Sequence, residues 1–426
     1  MKRLVRRALI IFAVLGPGFI TASAGNDVGG IILYSQAGAQ FGYATLWTLL
    51  PLTLSLIIVQ EMAGRMGAVT GKGLAGLIRE NFGVRWTFFA MSALFFINVA
   101  ITATEFAGIA AAGEIFHLSR YIIVPFSCII VFLFVLRLNN KIVERVFVIL
   151  SLVYLSYIVS GCLAGPDWHA VAHGTFVPTL SSNVPTISNL VFLATVVGLI
   201  GTTISPYMQF FLQSAVVEKG SRIRDLLAVR ADIVVGSILA IVLAGFMIIA
   251  NAATIFLANQ HLDAKHQIVV TQAFDVARAL APLAGNYAAY LFGFGVLNAG
   301  LFTATVLPLA TAYIVCEAFG FEAAVDRRFR EAPVFYSLFG GALVIGAALV
   351  LIPGLDYLKL IFYAQVLQGV VLPLELVMML VIINRRRVMG AFTNTRAVNA
   401  IAWITTVVVG ILAIAYVVMQ ITGIGS

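Results

Sequence analysis

Residues 16–30 read Gly-Pro-Gly-Phe-Ile-Thr-Ala-Ser-Ala-Gly-Asn-Asp-Val-Gly-Gly, a glycine-rich run with one carboxylate, Asp27, inside an apolar stretch extending from 8 to 38. Gly costs about 1 kcal/mol in a helix interior and Pro about 3, so this stretch is a poor continuous helix. Lipid tolerates unpaired backbone only where it lines a cavity enclosed by protein. A second break of the same kind lies at 198–211, GLIGTTISPYMQFF, where Gly201 and Pro206 bracket Thr202, Thr203, Ile204 and Ser205.

The rest of the chain puts both breaks at membrane depth. Of its 426 residues, 61% are hydrophobic and 10% charged, whereas a soluble domain is about 45–50% apolar and roughly a quarter charged. With a mean hydropathy of +1.04, that balance excludes a cytosolic enzyme, a nucleic-acid binder and a secreted disulfide scaffold. Eleven apolar windows have the length of about 20 residues that a bilayer demands. They cover 8–38, 44–66, 84–112, 119–138, 144–164, 187–215, 231–258, 285–318, 333–352, 356–384 and 397–420. With the N-terminus in the cytoplasm, all of the 26 Lys and Arg fall inside except Arg120, Lys265, Arg278 and Lys359, as positive residues do. The expectation is an all-α polytopic protein of one transmembrane domain over 1–426, with its C-terminus outside the membrane of a prokaryotic cell. Cys128, Cys162 and Cys316 show no metal or redox spacing and read as small apolar packing residues. In the external loop 259–284, the run QAFDVARALAPL is expected as a short amphipathic helix at the surface.

The breaks fall in the first and sixth windows, five apart, and an odd offset requires the second half to run inverted. Interrupted segments at corresponding positions of two halves point to a transporter with its site at the midplane. The repeats would cover about 8–164 and 187–384, with an extra helix at 397–420. Freed carbonyls and the C-terminal ends of half-helices favour a cation. Asp27 either partners that cation, since a carboxylate at bilayer depth is costly alone, or caps the second half-helix.

These residues resemble the NRAMP family of divalent-metal transporters (natural resistance-associated macrophage proteins). Gly16-Pro17-Gly18-Phe19 stands eleven residues before Asp27, as the family's GPGF stands before its Asp-Pro-Gly-Asn. Gln36-Ala37-Gly38-Ala39, Gly42-Tyr43, Val69-Thr70-Gly71-Lys72, Glu105-Phe106-Ala107-Gly108 and Gln365 follow in similar register. The resemblance implies the leucine-transporter-like fold with helices 1 and 6 broken. It also implies an ion site built from the Asp27 carboxylate, the carbonyls of Ala24 and Thr202, the altered positions Gly30 and Ser205, and Gln365 closing over the ion. Tyr207, Glu105 and Glu375 would line the pathway or support the site.

The departures from the family give the site a direction. Asp-Pro-Gly-Asn is here Asp27-Val28-Gly29-Gly30, and Met-Pro-His is Ser205-Pro206-Tyr207. A thioether favours softer ions, and Ser205 leaves only oxygen chemistry. Gly30 deletes an amide ligand and is expected to open room for a water, which suits Mg²⁺, an ion that dehydrates reluctantly. The pattern is similar to that of the NRAMP-related magnesium transporters, with Mn²⁺ also accepted as substrate. His117, His169, His173, His261 and His266 all fall in predicted external loops, and Thr102 stands where the family has an acid. Tyr207, with an ordinary pKa near 10, is a poor relay, so transport without proton coupling is expected. Glu105 reads as a supporting or neutral hydrogen-bonded acid. Glu375 reads either as a vestibule residue or as half of a salt bridge, and Glu61 and Arg65 pair on one helix face. The alternative is a proton-coupled Mn²⁺/Fe²⁺ importer. A sodium-coupled amino-acid carrier needs a zwitterion site, and an intramembrane enzyme needs convergent catalytic groups at depth; neither is in view. A channel fits broken inverted repeats less well than a carrier. No cofactor, nucleic acid or obligatory protein partner is expected, only the ion and the bilayer.

Overall fold

The computed structural model describes residues 25–137, 151–182, 184, 187–260, 273–322 and 329–423. Among these the secondary structure is helix and turn, with no strand. The principal helices are α1 (Val28–Phe41), α2 (Leu49–Thr70), α3 (Leu74–Phe82), α4 (Val84–Ile115), α5 (Arg120–Arg137), α6 (Leu155–Leu163) and α7 (Trp168–Phe176). They continue as α8 (Asn189–Thr203), α9 (Pro206–Glu218), α10 (Leu226–Asn251), α11 (Ala288–Phe319), α12 (Pro333–Val350), α13 (Tyr357–Ile383) and α14 (Arg396–Thr422).

Eight segments among the described residues are long and apolar enough to cross a bilayer, and each overlaps one of the predicted windows. The windows 8–38, 119–138 and 144–164 are represented by α1, α5 and α6, and each includes residues outside the described set. Large apolar side chains face outward, with Phe96 71% and Ile414 67% exposed. Water would not tolerate so many, and a bilayer does. Ends are set locally: Gly71, at φ 65°, caps α2 by donating its N–H to the Gly67 carbonyl. The Thr395 hydroxyl accepts from the Val398 N–H at the start of α14.

The interior is built around α4, which packs along α11, α12 and α13, while α1 lies against α10 and α13. Half-helix α8 approaches α13 backbone to backbone. A Cβ on Gly201 would collide with the Gln365 carbonyl and the Gly369 backbone, and one on Gly369 with the Val197 carbonyl. Small residues allow such approach where lipid offers no hydrophobic drive. Groups expected outside meet one another, as Arg120 donates to the Tyr357 hydroxyl at 2.9 Å and Trp47 to the Thr179 carbonyl at 3.1 Å. Groups expected inside meet at the other end, where Arg385 donates to Asn81 Oδ1 at 2.9 Å and Arg65 to Asn394 Oδ1 at 2.6 Å. The Glu61–Arg65 pair forms at 3.0 Å, and Arg230 joins it at 2.8 Å.

The run QAFDVARALAPL forms short helical turns from Ala273, with Arg278, Ala281, Pro282 and Leu283 exposed and Val276, Ala277, Ala279 and Leu280 buried, and Ser160 Oγ donates to the Ala279 carbonyl at 2.5 Å. Its apolar residues insert between helices because the neighbouring α6 and α11 leave their own apolar faces to cover. Of the cysteines only Cys316 is buried, and Cys162 is exposed. The turn between α2 and α4 contains α3, with Leu74, Ala75, Leu77 and Ile78 buried. There Glu317 from α11 accepts from Ser214 Oγ at 2.5 Å, and its carboxylate lies against Gly73 at the start of α3.

Candidate metal centre

The start of α1 faces the break between α8 and α9. Helix α8 ends at Thr203, Ile204 leaves helical backbone at φ −118° and ψ 57°, Ser205 is extended, and Pro206 opens α9. Proline belongs at that first position because its missing N–H would be unpaired there anyway. Ile204 N still reaches the Ile200 carbonyl at 2.9 Å, and the carbonyls of Gly201 and Thr202 accept from Ser205 Oγ at 2.9 and 3.0 Å. On the other side, Asp27 is the extended N-cap of α1, and its Oδ1 accepts from Gly30 N at 2.5 Å. Glu105 Oε2 accepts from Val28 N at 3.3 Å, across 77 residues of chain. Two acids therefore sit on one helix N-terminus, where the dipole favours negative charge.

Capping uses only one oxygen of Asp27. The side chain is wholly buried, and Oδ2 has no hydrogen-bond partner among the described residues. The Thr202 hydroxyl and the Gln365 carboxamide reach toward the same carboxylate, yet Thr202 Oγ1 and Gln365 Nε2 also close no hydrogen bond of good geometry. Buried polar atoms left unpaired cost about 1–3 kcal/mol each, more for charged groups. A cation would relieve Asp27 Oδ2 and Thr202 Oγ1 directly, and Gln365 would join them by presenting its carbonyl oxygen in place of Nε2. Each of these side chains can offer an oxygen. The nearby Met208 sulfur is turned away, accepting from Gln60 Nε2 at 3.9 Å.

Of the residues expected at the site, the structure brings Asp27, Gly30, Thr202 and Gln365 together, with Ser205 behind them on the Thr202 carbonyl. Ala24 lies outside the described residues. The expectation that Gly30 opens volume is corrected. A Cβ there would stand 2.7 Å from the Gly25 carbonyl oxygen, 3.2 Å from Thr202 Oγ1 and 3.3 Å from Asp27 Oδ1. Position 30 is a close approach of backbone, and the turn into α1 folds the Gly25 carbonyl over it. Tyr207 is buried in an apolar cluster with Ile97, Ile101, Met208, Leu307 and Ala310. Glu375 is 3% exposed, and neither oxygen has a hydrogen bond or ion pair among the described residues. Its expected salt bridge is therefore not formed, because the basic residues of this chain gather at the helix ends. The Thr102 hydroxyl returns to the Asn98 carbonyl at 2.8 Å, and its methyl group packs under Gly346 of α12.

Sequence reasoning missed the Gly25 carbonyl and Gln368, whose Nε2 donates to Gln365 Oε1 at 2.6 Å. The one available signal for Gln368 was a second glutamine three residues on, hence on the same helix face.

Known proteins are similar to this chain along most of its length. The family profile described as "Natural resistance-associated macrophage protein-like" matches residues 18–419. A divalent metal cation transporter, MntH, of Klebsiella pneumoniae strain 342 is 28% identical over 409 residues, covering 93% of this chain and 92% of its own. In fold, the chain is similar to the manganese transporter of Eremococcus coleocola. The TM-score is 0.75 at 22% identity, over 96% of this chain and 86% of that one. It is also similar, at a TM-score of 0.56 and 14% identity over 95% and 91% of the two chains, to the nucleobase-cation-symport-1 family transporter MHP1.

Proposed function

The chain belongs to the natural resistance-associated macrophage protein-like family, and from that premise we propose that it carries divalent metal ions, Mg²⁺ foremost and Mn²⁺ as well, without proton coupling. The observation that carries this reading is the buried, half-unpaired Asp27 carboxylate facing Thr202 and Gln365, side chains that can each offer an oxygen. Hard cations prefer oxygen, and only softer ones gain from sulfur. Spare room for water does not contribute, since the Gly25 carbonyl closes position 30. The preference for a hard ion rests on donor chemistry alone.

The absence of proton coupling is supported by what surrounds the site. Glu105 is engaged as a cap on Val28 N. Thr102 contacts a glycine of α12, and the described histidines are exposed, His117 in the turn after α4 and His169 and His173 in the short helix α7. The membrane potential is sufficient as a driving force. About 2.3 kcal/mol per charge per 100 mV gives about 4.6 for a divalent ion. At about 1.4 kcal/mol per decade that sustains on the order of a thousandfold accumulation. Eleven spans in two inverted repeats, N-terminus inside, with rocking of the broken helices against the remainder, complete the proposal.

The test is competitive uptake of Mg²⁺, Mn²⁺, Ca²⁺ and Cd²⁺ into liposomes holding the purified chain and an internal pH dye. Mg²⁺ uptake that saturates, leaves internal pH unchanged and vanishes in Asp27→Ala is the expected result. A Cd²⁺ preference overturns the hard-site reading, and a pH change tracking flux overturns uncoupled transport in favour of a proton-coupled Mn²⁺/Fe²⁺ importer.

A further inference from the structure

Gln365 and Gln368 stand one helical turn apart on α13, both wholly buried. Their hydrogen bond has a direction, from Gln368 Nε2 to Gln365 Oε1 at 2.6 Å. The Gln365 amide nitrogen is thereby the end turned toward Gly29 and the Asp27 carboxylate. At the far end Gln368 Oε1 has no partner among the described residues.

Elementary chemistry orders this chain. A carboxylate only accepts, so the amide beside it presents its NH₂ group. The Gln365 carbonyl then faces Gln368, which must donate. A cation seated on Asp27 inverts every requirement. It repels the NH₂ group and calls for the carbonyl oxygen. If Gln365 turns Oε1 to the ion, its Nε2 swings to Gln368 and needs an acceptor there. The unpartnered Gln368 Oε1 supplies one by the same half-turn. Terminal amide torsions are broad and nearly two-fold, so both groups can turn while the backbone stays fixed. The backbone is in fact pinned, because Gly201 and Gly369 hold α8 and α13 at direct contact on this very turn.

We infer that Gln368 is a positioning residue that acts through Gln365: the two amides invert together, and the direction of their hydrogen bond follows the occupancy of the metal site. The inference rests on the metal-site reading above and adds to it a residue that sets how firmly the Gln365 carbonyl is presented to the ion.

The experiment is a double-mutant cycle on the full chain in liposomes, measuring initial Mg²⁺ and Mn²⁺ uptake for Gln368→Met, Gln365→Met and the double variant. Loss of one net hydrogen bond corresponds to about a fivefold effect. The expected result is therefore a half-saturation concentration about fivefold higher in Gln368→Met for both ions, with the maximal rate nearly unchanged. In the Gln365→Met background the same substitution adds nothing, because residues that act as a unit are not additive. Gln368→Asn, polar but one methylene too short to reach Gln365, behaves as the Met variant and carries the test if the latter does not fold. Additive effects, or wild-type half-saturation in Gln368→Asn, overturn the proposal. If Asp27→Ala and Gln365→Met both leave uptake untouched, the metal-site reading itself fails and this inference fails with it.

Discussion

Substituting Gly30 separates a backbone close approach from an open ligand position. In Gly30→Ala the new Cβ stands 2.7 Å from the Gly25 carbonyl oxygen. A carbon settles against such an oxygen at about 3.3–3.6 Å, so the carbonyl must retreat by about 0.6–0.9 Å. Two terms oppose each other in stability. Alanine gains about 1 kcal/mol over glycine within a helix, and overpacking against a neighbour that cannot rotate away costs about 1–3. The net is about 0–2 kcal/mol, a modest shift in unfolding temperature. The effect on transport is larger. The displaced turn also carries Asp27, and Mg²⁺–oxygen contacts held near 2.0–2.1 Å do not survive a shift of about 0.6 Å. Initial uptake of Mg²⁺ and Mn²⁺ in liposomes, with thermal unfolding in parallel, should show half-saturation raised at least tenfold for both ions while the fold persists. Gly30→Asn begins with the same clash and should lose both ions rather than exchange one for the other. Wild-type half-saturation in Gly30→Ala, or a clean switch toward Mn²⁺ in Gly30→Asn at full rate, refutes the reasoning.

Three further outcomes follow from particular contacts. In Glu105→Gln the amide oxygen can still accept from Val28 N, so Mg²⁺ uptake should stay within a fewfold of wild type at neutral pH. Glu105→Ala instead leaves that N–H buried and unpaired, at about 1–3 kcal/mol, visible as a lower unfolding temperature. Glu317 of α11 holds α9 through Ser214 and packs its carboxylate against Gly73, where α3 begins. Glu317→Ala should therefore speed hydrogen exchange at Leu74–Ile78 by roughly ten- to hundredfold, the equivalent of about 1.5–3 kcal/mol. Unchanged protection there removes Glu317 as the tie. Asp356 caps α13, accepting from Lys359 N at 3.1 Å, and that N–H holds its carboxyl below the ordinary range. A depressed folded value means stabilisation present above about pH 4, the unfolded value, and lost as pH falls through the folded one. Asp356→Ala should accordingly lower stability at pH 7 by about 0.5–1 kcal/mol, with the gap from wild type closing in acid.

Much of the site was legible before any coordinates, because it depends on local chemistry. Gly201 and Pro206 forecast the break in the sixth window, and the helix does end at Thr203 and resume at Pro206. Asp27, Thr202 and Gln365 were expected together and lie together. What was not legible was how closely particular atoms approach. Gly30 read as room for water, since a sequence records a missing side chain and not the carbonyl folded over it. Glu375 admitted two readings, a vestibule residue or half of a salt bridge, and no basic group meets its buried carboxylate among the described residues.

The amino-acid sequence by itself determined that this chain is helical and membrane-embedded, where its apolar segments run, and where the helix between Asn189 and Glu218 breaks. Those are properties of short stretches: hydropathy, charge and the helix penalties of Gly and Pro act on the residues that carry them. Only the tertiary structure decided which oxygens converge on Asp27 and which are already engaged. Ser205 spends its hydroxyl on its own half-helix, Glu105 crosses 77 residues to cap Val28, and Gln368 stands behind Gln365. Such pairings turn on how closely backbones approach. The contact of Gly201 with Gly369 sets that to tenths of an ångström, and no local pattern specifies it.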